Sequence, residues 1–233
     1  MTTTQDHEPS IHADQPDALP SFEGFLFDLD GTLLDTLPDL VEITNRALAE
    51  EGFAPHSAQT ILGFVGNGAF SLILQATPAD ADDAQTKRVY DRFRALYVES
   101  GTRLTREFDG MSATLHELKR RGKKLGIMSN KFEAGVLEVE AKFFPGLFDT
   151  AHGETDTILR KPDPIGLQVC MKELGLMPQQ CIYFGDSHSD MLAAHNAGVY
   201  AAGVAWGYQP REKLKQGNPS IIIESPADIL RFC

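Results

Sequence analysis

Phe25-Leu26-Phe27-Asp28-Leu29-Asp30-Gly31-Thr32-Leu33-Leu34-Asp35 decides how the rest of the chain is read. Phe25, Leu26 and Phe27 form a short apolar run, the pattern of a strand covered on both faces of a parallel sheet. On an extended backbone, side chains at i and i+2 point the same way. Asp28 and Asp30 are therefore expected to face one centre at the strand's end. Gly31 tolerates dihedrals that other residues avoid, which lets the chain turn away there. In open α/β sheets that end is where ligands bind. Asp, Gly and Thr are also ordinary turn residues, so a lone D-x-D reads equally as a polar turn.

The whole chain bounds what such a centre can do. Its 233 residues, 42% hydrophobic and 23% charged, suffice for one sizeable core and a smaller satellite. A net charge of -12 repels nucleic acid and anionic lipid, so neither is expected as a partner. An anionic substrate would need a local positive site, from a metal or a few basic residues. Three cysteines, Cys170, Cys181 and Cys233, show no C-x-x-C spacing and read as free thiols in a reducing compartment. No apolar run is long enough to span a membrane, and residues 1–20 lack a signal-peptide pattern. A cytoplasmic protein is expected, as a monomer or homodimer.

Residues 1–20 are polar and read as a disordered tail. The first strand is expected from Phe22 to Asp28. Leu40, Ile43, Ala47 and Leu48 recur at helical spacing after Pro38, until Gly52 ends the pattern. Further helices are expected near Ser57 to Leu62, after Gly68, and from Ala79 to Val98. No strand pattern occurs between Leu37 and Ser100. Strands and helices then alternate. Strands are expected at Lys124–Lys131, Phe148–His152, Cys181–Phe184, Val199–Val204 and Ile221–Ile223. Helices are expected at Ser112–Arg121, Glu133–Phe143, Pro164–Leu174 and Met191–Asn196. This alternation implies right-handed βαβ units and a parallel sheet. The division expected is a core over residues 21–36 and 106–233, interrupted by an all-helical insert over 37–105.

Four polar clusters fall at strand ends or in the loops after them: Asp28/Asp30, Ser129/Asn130, Lys161 and Asp186/Asp190. Each has an ordinary alternative, as a helix cap, a turn or a solvated loop. Together, and in this order, they resemble the four motifs of the haloacid dehalogenase superfamily, beginning with DxDGTLLDT. The resemblance runs from Gly24 to the C-terminus. It implies a Rossmann-like α/β core with a small all-helical cap.

The resemblance also implies roles. Asp28 would be the nucleophile and a Mg2+ ligand. Asp30 would be the general acid and base, and its backbone carbonyl a second ligand. Asp186 would be the third ligand and Asp190 a support. Ser129 and Asn130 would hold phosphate oxygens, and Lys161 would add a second cation. The chemistry needs such a set, because carboxylate and phosphate are both anionic. Two unit charges about 4 Å apart repel by roughly 4 kcal/mol at an effective dielectric near 20. Asp30 argues against a dehalogenase, whose leaving group needs no proton. Gly66, Asn67 and Gly68 lie in Gly63-Phe64-Val65-Gly66-Asn67-Gly68, which looks like the substrate-facing loop of phosphoglycolate phosphatases. It reads equally as a helix–helix turn. Thr105 to Gly110 departs from the more proline-rich hinge of those enzymes. The first expectation is a phosphatase for 2-phosphoglycolate. The alternatives are a sugar-phosphate, nucleotide or pyrophosphate phosphatase, or a β-phosphoglucomutase-like phosphotransferase. In each, the partner is a small phosphorylated metabolite.

Overall fold

The computed structural model describes residues 19–100 and 102–233. The tail expected over 1–20 lies outside the described residues except for Leu19 and Pro20. In chain order the elements are β1 (Gly24–Phe27), β2 (Leu34–Asp35), α1 (Leu37–Glu50), α2 (Ala58–Leu62), α3 (Gly68–Ala76), α4 (Asp83–Ser100) and β3 (Arg106–Glu107). They continue with α5 (Met111–Arg120), β4 (Lys124–Phe132), α6 (Glu133–Phe143), β5 (Thr150–Glu154) and α7 (Ile165–Leu174). The last are β6 (Cys181–Gly185), α8 (His188–Ala197), β7 (Tyr200–Val204), α9 (Arg211–Gln216) and β8 (Ile221–Ile223). Six strands form one sheet in the order β5-β4-β1-β6-β7-β8, and every pairing in it is parallel.

β1 lies in the middle and is apolar on both faces, because helices cover both. Phe25 and Phe27 join one core with Phe184, whose ring stacks on theirs at 6.2 and 5.1 Å. Leu26 faces the other way, into a second core with Tyr183, Leu167 and Met191. Each such fully buried side chain contributes about 2–3 kcal/mol from burial alone. Asp28 continues the β1 ladder by one rung, donating its N–H to Phe184 O at 2.9 Å. The sheet thus carries the chain to the point where the first carboxylate emerges.

Helices α1 to α4 pack on one another around a third apolar cluster, with Leu40, Ile43, Leu72, Val89 and Phe93 at its centre. The chain enters and leaves them through β2 and β3, which pair antiparallel as Leu34↔Glu107 and Asp35↔Arg106. Asp39 in α1 reinforces that crossing. Its buried carboxylate accepts hydrogen bonds from Leu104 N, Thr105 N and Thr105 Oγ1.

The departures from expectation are local. β5 spans Thr150–Glu154, two residues later than Phe148–His152, since Phe148 turns edge-on to Phe27 and Phe144 instead. α8 begins at His188, before Met191, because Ser187 and Asp190 form a capping box. The β2–β3 ribbon and α9 have no periodic signal, being two to six residues long. No helix among the described residues is long and apolar enough to cross a membrane.

Candidate active site

The carboxyl ends of β1, β4 and β6 open onto a cleft of about 280 Å3 beneath the α1–α4 helices. The sheet lines its floor with Asp28, Asp30, Ser129, Asn130, Lys131 and Asp186. The helices line its roof with Leu40, Leu62, Val65, Leu72, Phe93 and Tyr97. All four sequence clusters therefore converge, although 158 positions separate Asp28 from Asp186 (186 − 28).

Three buried carboxylates form the acidic heart. Oxygens of Asp28, Asp186 and Asp190 all lie within 4.8 Å of one another. Lys161 reaches into them, its Nζ 2.7 Å from Asp28 Oδ1 and 2.6 Å from Asp190 Oδ1. It also donates to Tyr183 Oη at 2.9 Å and Met128 O at 3.3 Å. The approach to Asp28 is a close charge contact off the hydrogen-bonding direction, so Asp28 Oδ1 stays buried without an aligned donor. Asp190 has no such spare capacity. Its Oδ1 takes Lys161 and Tyr183, and its Oδ2 takes Ser187 N and Oγ at 2.9 and 2.6 Å.

Burial, above all, pushes the Asp28 carboxyl up to about 7; Lys161 opposes this, and Asp190 and Asp30 add to it. Burial and then the Asp190 and Asp28 charges push Asp186 well above the carboxylate range. Burial disfavours the charge on Lys161, but Asp190 and Asp28 outweigh it and hold that pKa above the lysine value. Three acids share one lysine, which leaves a buried deficit of positive charge.

Asp186 is held by backbone at close quarters. Its Oδ2 accepts Tyr208 N–H at 2.7 Å and its Oδ1 accepts Thr32 Oγ1 at 3.3 Å. Gly31, at φ +87°, and Gly207 both press on it. A Cβ at Gly207 would overlap Asp186 Cβ and stand 2.6 Å from Gly31 O.

Asp30 points away from the triad. Its Oδ1 accepts from Thr36 Oγ1 at 2.7 Å, and its two oxygens accept from Lys131 Nζ at 2.9 and 3.0 Å. Ser129 is buried on the floor, where its Oγ accepts Lys131 N–H. The Asn130 side chain works as a strut. It donates to Gly66 O at 2.8 Å and accepts Lys161 N–H at 2.7 Å. Gly66 and Gly68 line the cleft, whereas Asn67 turns its carbonyl out to Arg160 at 2.7 Å.

Two residues of the site carry no motif signal. Lys131 reads only as the last residue of a strand with a polar end, and it is buried. Tyr208 accepts hydrogen bonds from Thr36 N and Leu37 N at 2.7 and 2.9 Å and donates to Asp35 Oδ1 at 3.0 Å. Those partners lie more than 170 positions away in sequence. The one available signal was its nearness to Trp206 and Gly207 just after a strand.

The chain is similar to known proteins. The phosphoglycolate phosphatase of Pseudomonas putida KT2440 is 35% identical over 224 residues, covering 94% of this chain and 81% of that protein. The phosphoglycolate phosphatase of Mannheimia succiniciproducens is 35% identical, covering 88% of this chain and 96% of that one. The crystal structure of a predicted phosphoglycolate phosphatase from Haemophilus somnus 129PT superposes with a TM-score of 0.84. It is 30% identical and covers 90% of this chain and 97% of that one. The family model for haloacid dehalogenase-like hydrolase matches residues 25–204, from the strand that leads to Asp28 through the last residue of β7. With Asp28, Asp186 and Asp190 inside that span, the chain belongs to the haloacid dehalogenase-like hydrolases.

Proposed function

We propose that this chain is a Mg2+-dependent phosphomonoester hydrolase that acts through an aspartyl-phosphate on Asp28, with 2-phosphoglycolate as substrate. The observation that carries the reading is the buried Asp28 Oδ1, undirected by any donor and set among carboxylates that one lysine does not neutralise. A hard divalent cation fits that all-oxygen donor set, with Asp28, Asp186 and the Asp30 carbonyl as its protein ligands. When bound, Mg2+ supplies charge that lets a carboxylate and a phosphate approach. The curated relatives carry the substrate name.

The chain's own residues divide the remaining work. An Asp28 oxygen attacks phosphorus, the bond to the leaving oxygen breaks, and that oxygen takes a proton from Asp30. Water then attacks phosphorus, giving its proton to Asp30, and the bond to Asp28 breaks to release phosphate. Lys161 and Ser129 steady the phosphoryl oxygens. Asp190 positions Lys161. The three free cysteines suit a reducing cytoplasm.

The test is phosphate release across 2-phosphoglycolate, sugar phosphates, nucleoside monophosphates and pyrophosphate. The highest kcat/KM is expected for 2-phosphoglycolate with Mg2+, falling at least about 1000-fold with chelator. Full activity without divalent metal, or a larger kcat/KM on another member of the panel, refutes it.

Gly207→Ala tests how Asp186 is held. The added methyl displaces Asp186, and apparent Mg2+ affinity is expected to weaken about 10- to 100-fold. The readout is the Mg2+ concentration that half-raises the melting temperature. An unchanged midpoint would show that Asp186 tolerates the shift.

A further inference from the structure

Besides Lys161, which is held by Asp28 and Asp190, two cations line the cleft among the described residues, Lys131 and Lys213. Lys213 sits exposed at the rim on α9, whereas Lys131 is buried at the floor. A lysine buried this far needs a partner, and in this structure it has Asp30, gripped through both oxygens. That grip turns the Asp30 oxygens toward the lysine rather than toward a leaving group. Lys131 Nζ also lies 4.8 Å from the centre of the Tyr97 ring. The Tyr97 hydroxyl is buried in the roof facing this ammonium and has no acceptor for its proton. A buried phenol with nothing to donate to is an unused donor beside an ammonium. Of the other side chains that the helices contribute, Gln59 alone is polar and none is charged, and Leu40, Leu62, Val65, Leu72 and Phe93 offer an anionic group nothing.

We propose that Lys131 and the Tyr97 hydroxyl form the subsite for a carboxylate on the substrate's leaving group, and that this carboxylate replaces Asp30 on the ammonium. The proposal rests on the phosphatase reading above and names what selects the substrate within it. The exchange conserves charge, one carboxylate leaving Lys131 as another arrives. It supplies the acceptor that the Tyr97 hydroxyl lacks. It also releases Asp30 to face the oxygen bound to phosphorus. An ester without the carboxylate leaves Lys131 on Asp30, so the cleft discriminates against uncharged tails of equal size.

Steady-state kinetics with Mg2+ on the full chain test this, using 2-phosphoglycolate and the uncharged analogue 2-hydroxyethyl phosphate. The wild type is expected to prefer the carboxylate by at least about 100-fold in kcat/KM. Lys131→Met is expected to shrink that preference to about threefold or less. Lys131→Arg, which keeps the charge, is expected to hold at least about 10-fold. Tyr97→Phe is expected to lower the preference about 10-fold and serves as the deciding variant should Lys131→Met not fold. The ratio of the two substrates separates recognition from damage, because a merely structural fault lowers both rates alike. Equal losses on both esters, an unchanged ratio in Tyr97→Phe, or a collapse of the ratio in Lys213→Met instead overturns the proposal. A wild type that hydrolyses both esters without preference overturns this proposal alone. A wild type that hydrolyses neither overturns the phosphatase reading as well.

Discussion

Asp28→Asn is expected to lower kcat by at least about 10,000-fold while the protein stays folded. Asparagine keeps the shape of the side chain but removes the oxygen charge that would attack phosphorus. Its effect on stability separates chemistry from folding. The Asp28 carboxyl lies at about 7 in the folded protein against 3.8 for the free side chain, chiefly through burial. Between those values the folded state binds the proton more tightly than the unfolded chain. Stability without metal therefore falls as pH rises through that window, and the deficit is complete above about pH 7. The shift corresponds to about 4 kcal/mol, with the help from Lys161 already included. Asparagine carries no such deficit. In chelator at pH 8, Asp28→Asn is expected to melt no lower than the wild type. A variant that still turns over at the wild-type rate would remove Asp28 from its role.

Lys161→Met is expected to cost about 3–5 kcal/mol of stability in chelator and about 1000-fold in kcat. The buried ammonium touches Asp28, Asp190, Tyr183 and Met128, and it is the cation that holds the triad together. Removing it leaves the Asp28, Asp186 and Asp190 carboxylates facing one another. Methionine fills the space of the stem, so the loss reports charge more than volume. Added Mg2+ is expected to narrow the stability gap, because it enters the same oxygen set. Urea unfolding with chelator and then with Mg2+ measures both. A loss under about 1 kcal/mol would mean that the triad does not depend on its lysine.

The sheet was legible because its strands are short, wholly apolar runs, such as Phe25 to Phe27 and Cys181 to Phe184, separated by helical periods. The acidic clusters were legible because each follows such a run directly. Lys131 was not, since a lysine after Ser-Asn carries no period that tells a solvated end from a buried pair. What buries it is Tyr97 from α4 and Asp30 from the end of β1, and neither adjacency is written locally. Tyr208 was hidden for the same reason, as its phenol meets Thr36, Leu37 and Asp35 only after the sheet has closed. The resemblance implies a phosphate contact at Asn130, and its side chain joins Gly66 to Lys161. An amide with both donor and acceptor suits a strut between two backbones as well as an anion site, and spacing does not distinguish the two.

The two-rung ribbon of β2 and β3 has a consequence for how such proteins diversify. Helices α1 to α4 lie between β2 and β3 in the chain and pack around an apolar cluster of their own, which Phe132 of β4 joins from the sheet. Mutations that reshape the roof over the leaving group therefore leave the strand registers beneath the nucleophile untouched. Selection can remodel what enters the cleft at one rate and conserve bond cleavage at another, with the short antiparallel ribbon where the chain crosses between them as the seam of the two histories.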